Sequence, residues 1–70
     1  MSDLRVISRK CLGGSWYVIA RITFPTQPVP TELCGEFTHE DKNVAINGAI
    51  EKLKADSEFA RLAQKFKVTI

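Results

Sequence analysis

Residues 15–24, SWYVIARITF, limit more than any other stretch what this chain can fold into. The run is apolar, rich in β-branched and aromatic residues, and bounded by Gly13-Gly14 before it and Pro25 after it. Such a segment reads as a β-strand. A strand of this kind needs partners on its edges and a cover on its apolar face. The remaining segments are read by how they supply them.

Residues 4–12, LRVISRKCL, read as a first strand, and Gly13-Gly14-Ser15 as the hairpin turn that joins it to the second. Two registers compete. A two-residue loop puts Arg5 and Arg9 on the same face as Val18 and Ile22. A three-residue loop pairs Leu12 with Trp16, Val6 with Ile22 and Leu4 with Phe24. The second register is preferred, because register follows the buried pattern. It gathers Leu4, Val6, Leu12, Trp16, Val18, Ala20, Ile22 and Phe24 on one face, with Ser8 and Lys10 as misfits. The other face then carries Arg5, Ile7, Arg9, Cys11, Tyr17, Ile19, Arg21 and Thr23.

The segment PTQPVP at 25–30 is a stiff, extended connection. Residues 31–37 read as a third strand, with Leu33 and Phe37 inward and Glu32, Cys34 and Glu36 outward. Gly35 at its centre predicts a bulge or a close contact. Thr38-His39-Glu40-Asp41 has the form of a helix-capping sequence, with Thr38 as the cap. The helix runs to about residue 55, with Ala45, Ile46, Ala49, Ile50 and Leu53 on one stripe. Gly48 within it predicts a close approach to the sheet. Asp56-Ser57 interrupts that phase. Phe59, Leu62, Ala63 and Phe66 then form a second, short helical stripe capped by Asp56 or Ser57. The tail 66–70 alternates with period two and reads as a fourth strand. The expected fold is therefore α+β, a single domain over residues 1–70. It has a three- to four-stranded antiparallel sheet with two helices on one face, in the order β-β-β-α-α-β.

A chain of 70 residues has a thin core, and stapling or oligomerisation often supports chains of this size. A homodimer would hide a sheet face. Met1-Ser2-Asp3 leads directly into the first strand with no apolar targeting stretch. The expectation is a cytoplasmic protein in which Cys11 and Cys34 stay reduced. No apolar run approaches the roughly 18 residues of a membrane span, so no membrane partner is expected. Net charge is +2, but it is uneven. Residues 1–31 hold Arg5, Arg9, Lys10 and Arg21 against Asp3, whereas residues 32–70 hold six basic against seven acidic side chains.

No catalytic or metal-ligating motif is present. Cys34 and His39 lack a third orienting group, and spacing alone does not activate a thiol. Cys11, Cys34, His39 and Asp41 lack the paired spacing of a zinc site. Gly13-Gly14 lacks the Lys-Ser/Thr of a phosphate loop. The sequence predicts a non-enzymatic protein with no cofactor and no metal.

Gly14-Ser15-Trp16, Arg21, Pro25 and then Gly35-Glu36-Phe37-Thr38-His39-Glu40 carry a resemblance. Over residues 4–54 the chain resembles the three-strand-plus-helix DNA-binding domains of tyrosine integrases (arm-type) and plant ethylene-response factors. The resemblance implies that the outer sheet face enters the DNA major groove, with Arg5, Arg9, Tyr17 and Arg21 facing DNA. The leading expectation is therefore a duplex-DNA-binding module acting through Arg5, Arg9, Lys10, Tyr17, Ile19 and Arg21. The alternative is a small protein-binding regulator or inhibitor of the kind that phages and mobile elements encode. It would act through the same face or through an acidic flank of Glu32, Glu36, Glu40 and Asp41.

Overall fold

The computed structural model describes residues 3–70. Three antiparallel strands, β1 (Asp3–Lys10), β2 (Trp16–Phe24) and β3 (Thr31–His39), form a sheet in the order β1-β2-β3. Two helices come after them, α1 (Lys42–Lys54) and α2 (Ser57–Phe66). Strand β2 lies in the middle, as its continuous apolar character requires.

The first hairpin reverses at Gly13. Cys11 and Ser15 close it through Cys11 N–H to Ser15 O (2.7 Å), and Gly14 N–H donates to Cys11 O (3.1 Å). Gly13 (φ 96°) and Gly14 (φ 91°) both take the left-handed backbone that glycine alone adopts without strain. Both must lie inside the loop, so Leu12 is drawn into the turn with them. The register is accordingly Lys10 to Trp16, Val6 to Ala20 and Leu4 to Ile22. This differs by two residues from the predicted pairing of Leu12 with Trp16. A two-residue slip preserves which side chains share a face. Leu12 is lost from the apolar face and is fully exposed.

The core is built on the even-numbered side of β2. Val18, Ala20, Ile22 and Phe24 are buried against Ala45, Ala49 and Leu53 of α1, and Phe59 and Leu62 of α2 complete the cluster. The stripe spacing i, i+4, i+8 on α1 puts its three buried residues in one row, as a packed helical face demands. Small residues let α1 approach closely. A Cβ on Gly35 would lie 2.5 Å from Ala49 O, and one on Gly48 would lie 2.5 Å from Phe37 Cγ. Gly35 lets the α1 backbone approach β3, and Gly48, on the helix, makes room for the Phe37 ring.

This approach sets α1 over β2 and β3, where it barely touches β1. Leu4 and Val6 therefore remain 37% and 42% exposed, although they point to the same side as the core. Phe24, at the end of β2, meets the rings of Phe59 (6.2 Å) and Phe66 (5.9 Å). Those two contacts dock α2.

Two local expectations, the cap of α1 and the fourth strand, are corrected, and of the two caps offered for α2 one is found. Thr38 does not cap α1, because β3 continues to His39. Asp41 is the cap, and its Oδ1 accepts from Asn43 N–H (2.9 Å) and Val44 N–H (3.2 Å). Asp56, not Ser57, caps α2 by accepting from Glu58 N–H (2.9 Å). Among the described residues there is no fourth strand. Phe66 belongs to α2, and Lys67 ends the helix in a left-handed conformation (φ 56°) with Val68 N–H donating to Ala63 O (2.9 Å). Three residues remain, and Val68 packs on the core instead of pairing with the sheet.

Candidate binding face

Alternation along the three strands builds one surface opposite the core. On β1 it presents Arg5, Ile7 and Arg9, and on β2 it presents Tyr17, Ile19, Arg21 and Thr23. On β3 it presents Glu32, Cys34, Glu36 and Thr38. The register places these side chains in rows across the sheet. Arg5, Arg21 and Cys34 form one row, Ile7, Ile19 and Glu36 the next, and Arg9, Tyr17 and Thr38 the third. Among the described residues nothing packs over this surface. Arg5, Arg9, Arg21, Glu32, Cys34 and Glu36 are exposed, and Ile7 is 49% exposed.

Along β2 the face is apolar and aromatic at Ile19 and Tyr17 but charged at Arg21, and on β1 Ile7 lies between Arg5 and Arg9. Adjacent strands lie about 4.8 Å apart, so the β1 and β3 columns are separated by roughly 10 Å. Arginines occupy β1 and β2, and glutamates occupy β3. Tyr17 on β2 is joined to Glu36 on β3 by a hydrogen bond from Tyr17 Oη to Glu36 Oε2 (2.5 Å). That bond raises the Tyr17 pKa above its ordinary 10.0, because the carboxylate holds the phenolic proton; desolvation and the charge of Glu36 add to the rise, and Arg21 opposes it. Arg5 and Arg21, direct cross-strand partners, sit at the floor of a hollow of about 500 Å³. The loop after β2 walls it with Pro25 and Pro30, and Glu32 lies on its far side.

The structure thus brings together Arg5, Arg9, Tyr17, Ile19 and Arg21, as the alternation predicts. It does not bring Lys10 with them. Lys10 is the partner of Trp16 on the core side of the sheet, and its Nζ lies 5.8 Å from the Trp16 ring. Lys42 Nζ lies 4.8 Å from the same ring, so the indole sits against two ammonium groups. The acidic flank is divided as well. Glu32 and Glu36 share the arginine face, whereas Glu40 and Asp41 stand at the corner between β3 and α1. Asp41 is committed to the helix cap there.

The juxtaposition of Glu32 and Glu36 with the arginines is the feature that reading one strand at a time misses. The outward alternation of β3 is visible in the sequence, but only pairing with β2 sets its carboxylates beside the β1 and β2 guanidinium groups. Cys34 and His39 differ by five positions on one strand and so point to opposite faces. His39 Nδ1 accepts from Asp41 N–H (2.9 Å). Cys34 is exposed beside Arg21, and neither it nor Cys11 is in a disulfide. Among the described residues no group of three or more His, Cys, Asp or Glu side chains is placed to hold a metal ion. No helix among them is long and apolar enough to cross a membrane.

No protein-family model, curated protein or solved structure matches this chain.

Proposed function

We propose that this chain is a small, non-enzymatic binding module that docks a protein partner through the open face of its sheet. One observation carries this reading. Ile7 on β1 and Ile19 and Tyr17 on β2 form an apolar cluster interleaved with Arg5, Arg9 and Arg21, with Glu32 and Glu36 along its β3 side. An uncovered apolar centre within a charged rim is the usual anatomy of a protein–protein contact. The mixed signs select a partner whose own charges are arranged in the opposite sense. A regulator or inhibitor would use such a face to recognise its target.

The same distribution weighs against duplex DNA. A phosphate chain is uniformly negative, and Glu32 and Glu36 lie within about one Debye length of the arginines at physiological salt. DNA drawn onto the arginines would meet both carboxylates. The DNA reading is retained as a second reading because Arg5, Arg9, Arg21 and Tyr17 do share one face.

A photo-reactive phenylalanine derivative at Ile7, compared with the same group at Val29, tests the first reading. Both positions are exposed. Cross-linking to protein at position 7 well above that at position 29 supports it, and equal labelling overturns it. Salt tests the second. Three arginines on phosphate predict a log–log slope of affinity against salt of about −2.7. Absence of binding in a mobility-shift titration at low salt removes it.

A further inference from the structure

We infer that the outer edge of β1 is a second docking site, which takes an extended segment of another protein as an antiparallel fourth strand. That segment is acidic at its N-terminal end and apolar at its C-terminal end. The site lies beside the open face, not on it, and does not depend on the docking reading given there.

The phase of the ladder is the first observation. Cys11 N–H donates to Ser15 O (2.7 Å), one step beyond the pairing of Lys10 with Trp16. Hydrogen-bonded and non-bonded pairs alternate along an antiparallel ladder. Arg5, Ile7 and Arg9 therefore bond to β2. The backbone N–H and C=O groups of Leu4, Val6, Ser8 and Lys10 point outward from the edge of the sheet. Strand β1 is terminal in the order β1-β2-β3, has eight residues without proline, and keeps an unbroken register with β2. Shortness, proline and bulges are the devices that commonly blunt such an edge.

The surroundings of the edge are the second. Helix α1 lies over β2 and β3, so the core side of β1 has little cover and Leu4 and Val6 stay exposed there. Beside Leu4 is a hollow of about 450 Å³, lined also by Ile22, Phe66, Val68 and Ile70. Strand addition draws affinity from main-chain hydrogen bonds and specificity from pockets for alternate side chains. The edge of β1 offers both.

Charge identifies the occupant. Residues 4–10 hold Arg5, Arg9 and Lys10 and no acidic side chain. Arg9 and Lys10 are adjacent at one end, and Leu4, Val6 and Ile7 lie toward the other. An antiparallel strand is matched when acidic residues stand opposite Arg9 and Lys10 and apolar ones opposite Ile7, Val6 and Leu4. A second copy pairing through residues 4–10 brings only basic side chains, so it is the poorer occupant. The other edge strand, β3, carries Glu32 and Glu36 and repels an acidic segment.

The capped peptide acetyl-DETIVTL-amide, written to lie opposite Lys10 through Leu4, tests the inference. It is titrated into the full isotope-labelled chain and followed by amide exchange. The expected result is slowed exchange at Leu4, Val6 and Ser8, with little change at Ile7 and Arg9, which already bond to β2. N-methylation of the peptide's valine, whose N–H faces β1, should weaken binding about tenfold, the loss of one hydrogen bond. N-methylation of its isoleucine, whose N–H points away, should leave binding unchanged. Lysines in place of the two acidic residues should weaken binding about tenfold, and Arg9→Glu should remove most of that preference.

No binding at about 1 mM peptide overturns the inference. So do equal losses from the two N-methylated peptides. A chain that is dimeric in sedimentation, and remains so in saturating peptide, gives the edge to a second copy and overturns it as well. Shifts confined to Ile19, Arg21 and Glu36 would overturn it while leaving the open-face reading in place. Slowed exchange along the edge would uphold it even where the position 7 probe labels nothing above position 29, so the two readings fail separately.

Discussion

Tyr17 donates its phenolic hydrogen to the Glu36 carboxylate across the β2–β3 pair, with 2.5 Å between the oxygens. The two residues stand one row apart on the open face, so the bond runs diagonally across the ladder. It ties the aromatic centre of the face to its acidic side. It also orients Glu36, whose row runs across the sheet through Ile19 to Ile7.

The bond has a signature in pH. Tyr17 has a raised pKa in the folded chain, chiefly through its hydrogen bond to Glu36. A raised folded-state value means that the contribution to stability is complete below the unfolded value and is lost as pH rises through the folded one. Phenolate absorbance should therefore titrate above 10.0 in the folded protein, the ordinary value against which the rise is measured. Glu36→Gln should move that midpoint back toward 10.0. An unchanged midpoint in the variant would show that Glu36 does not hold the proton.

The crossing of α1 over β3 depends on the missing side chain of Gly35. A Cβ there would lie 2.5 Å from Ala49 O, and backbone cannot rotate away as a side-chain tip can. Gly35→Ala should destabilise the fold by about 1–3 kcal/mol. In a chain of this size that lowers the melting temperature by roughly 4–8 °C for each kcal/mol. A melting temperature equal to that of the wild type would show that α1 sits farther from the sheet.

The two candidate caps of α1 predict opposite outcomes. Asp41→Ala removes the acceptor for Asn43 and Val44 N–H groups, and should lower stability by about 1 kcal/mol. Thr38→Ala changes an exposed strand residue and should stay within about 0.5 kcal/mol. Denaturant melts of the two variants, with unchanged slopes, check the pair.

Leu12 and Leu53 are the same residue type in opposite surroundings. Leu53 is fully buried on the core-facing side of α1, and Leu53→Ala should lose about 2–5 kcal/mol, enough to unfold much of a small domain. Leu12 is fully exposed in the hairpin turn, and Leu12→Ser should change stability by less than about 0.5 kcal/mol. Urea melts of both variants check the contrast. A large loss on Leu12→Ser would mean that the hairpin reverses one residue later, at Gly14.

Local pattern is enough to place the three strands, the two helices and the face of almost every strand residue. Strand alternation has a period of two, so the two-residue slip in the first hairpin leaves Arg5, Arg9, Tyr17 and Arg21 on one side as expected. The helical stripes are equally legible, because a face that must be buried repeats every three or four residues. The tail misleads. Its alternation is real, but Phe66 completes the α2 stripe, and the left-handed turn at Lys67 ends the helix there, with Val68 packed on the core.

Sequence alone determined which side chains of each strand point together. A side chain's direction is set by its own backbone, so this needs no knowledge of distant partners. Only the tertiary structure decided which strands lie beside each other and what covers them. Close packing at Gly35 and Gly48 draws α1 toward β3 and leaves Leu4 and Val6 half open. Pairing of β3 with β2 brings Glu32 and Glu36 onto the face that carries the arginines, Ile7, Ile19 and Tyr17. Both outcomes depend on contacts between residues far apart in the chain, which no local period encodes.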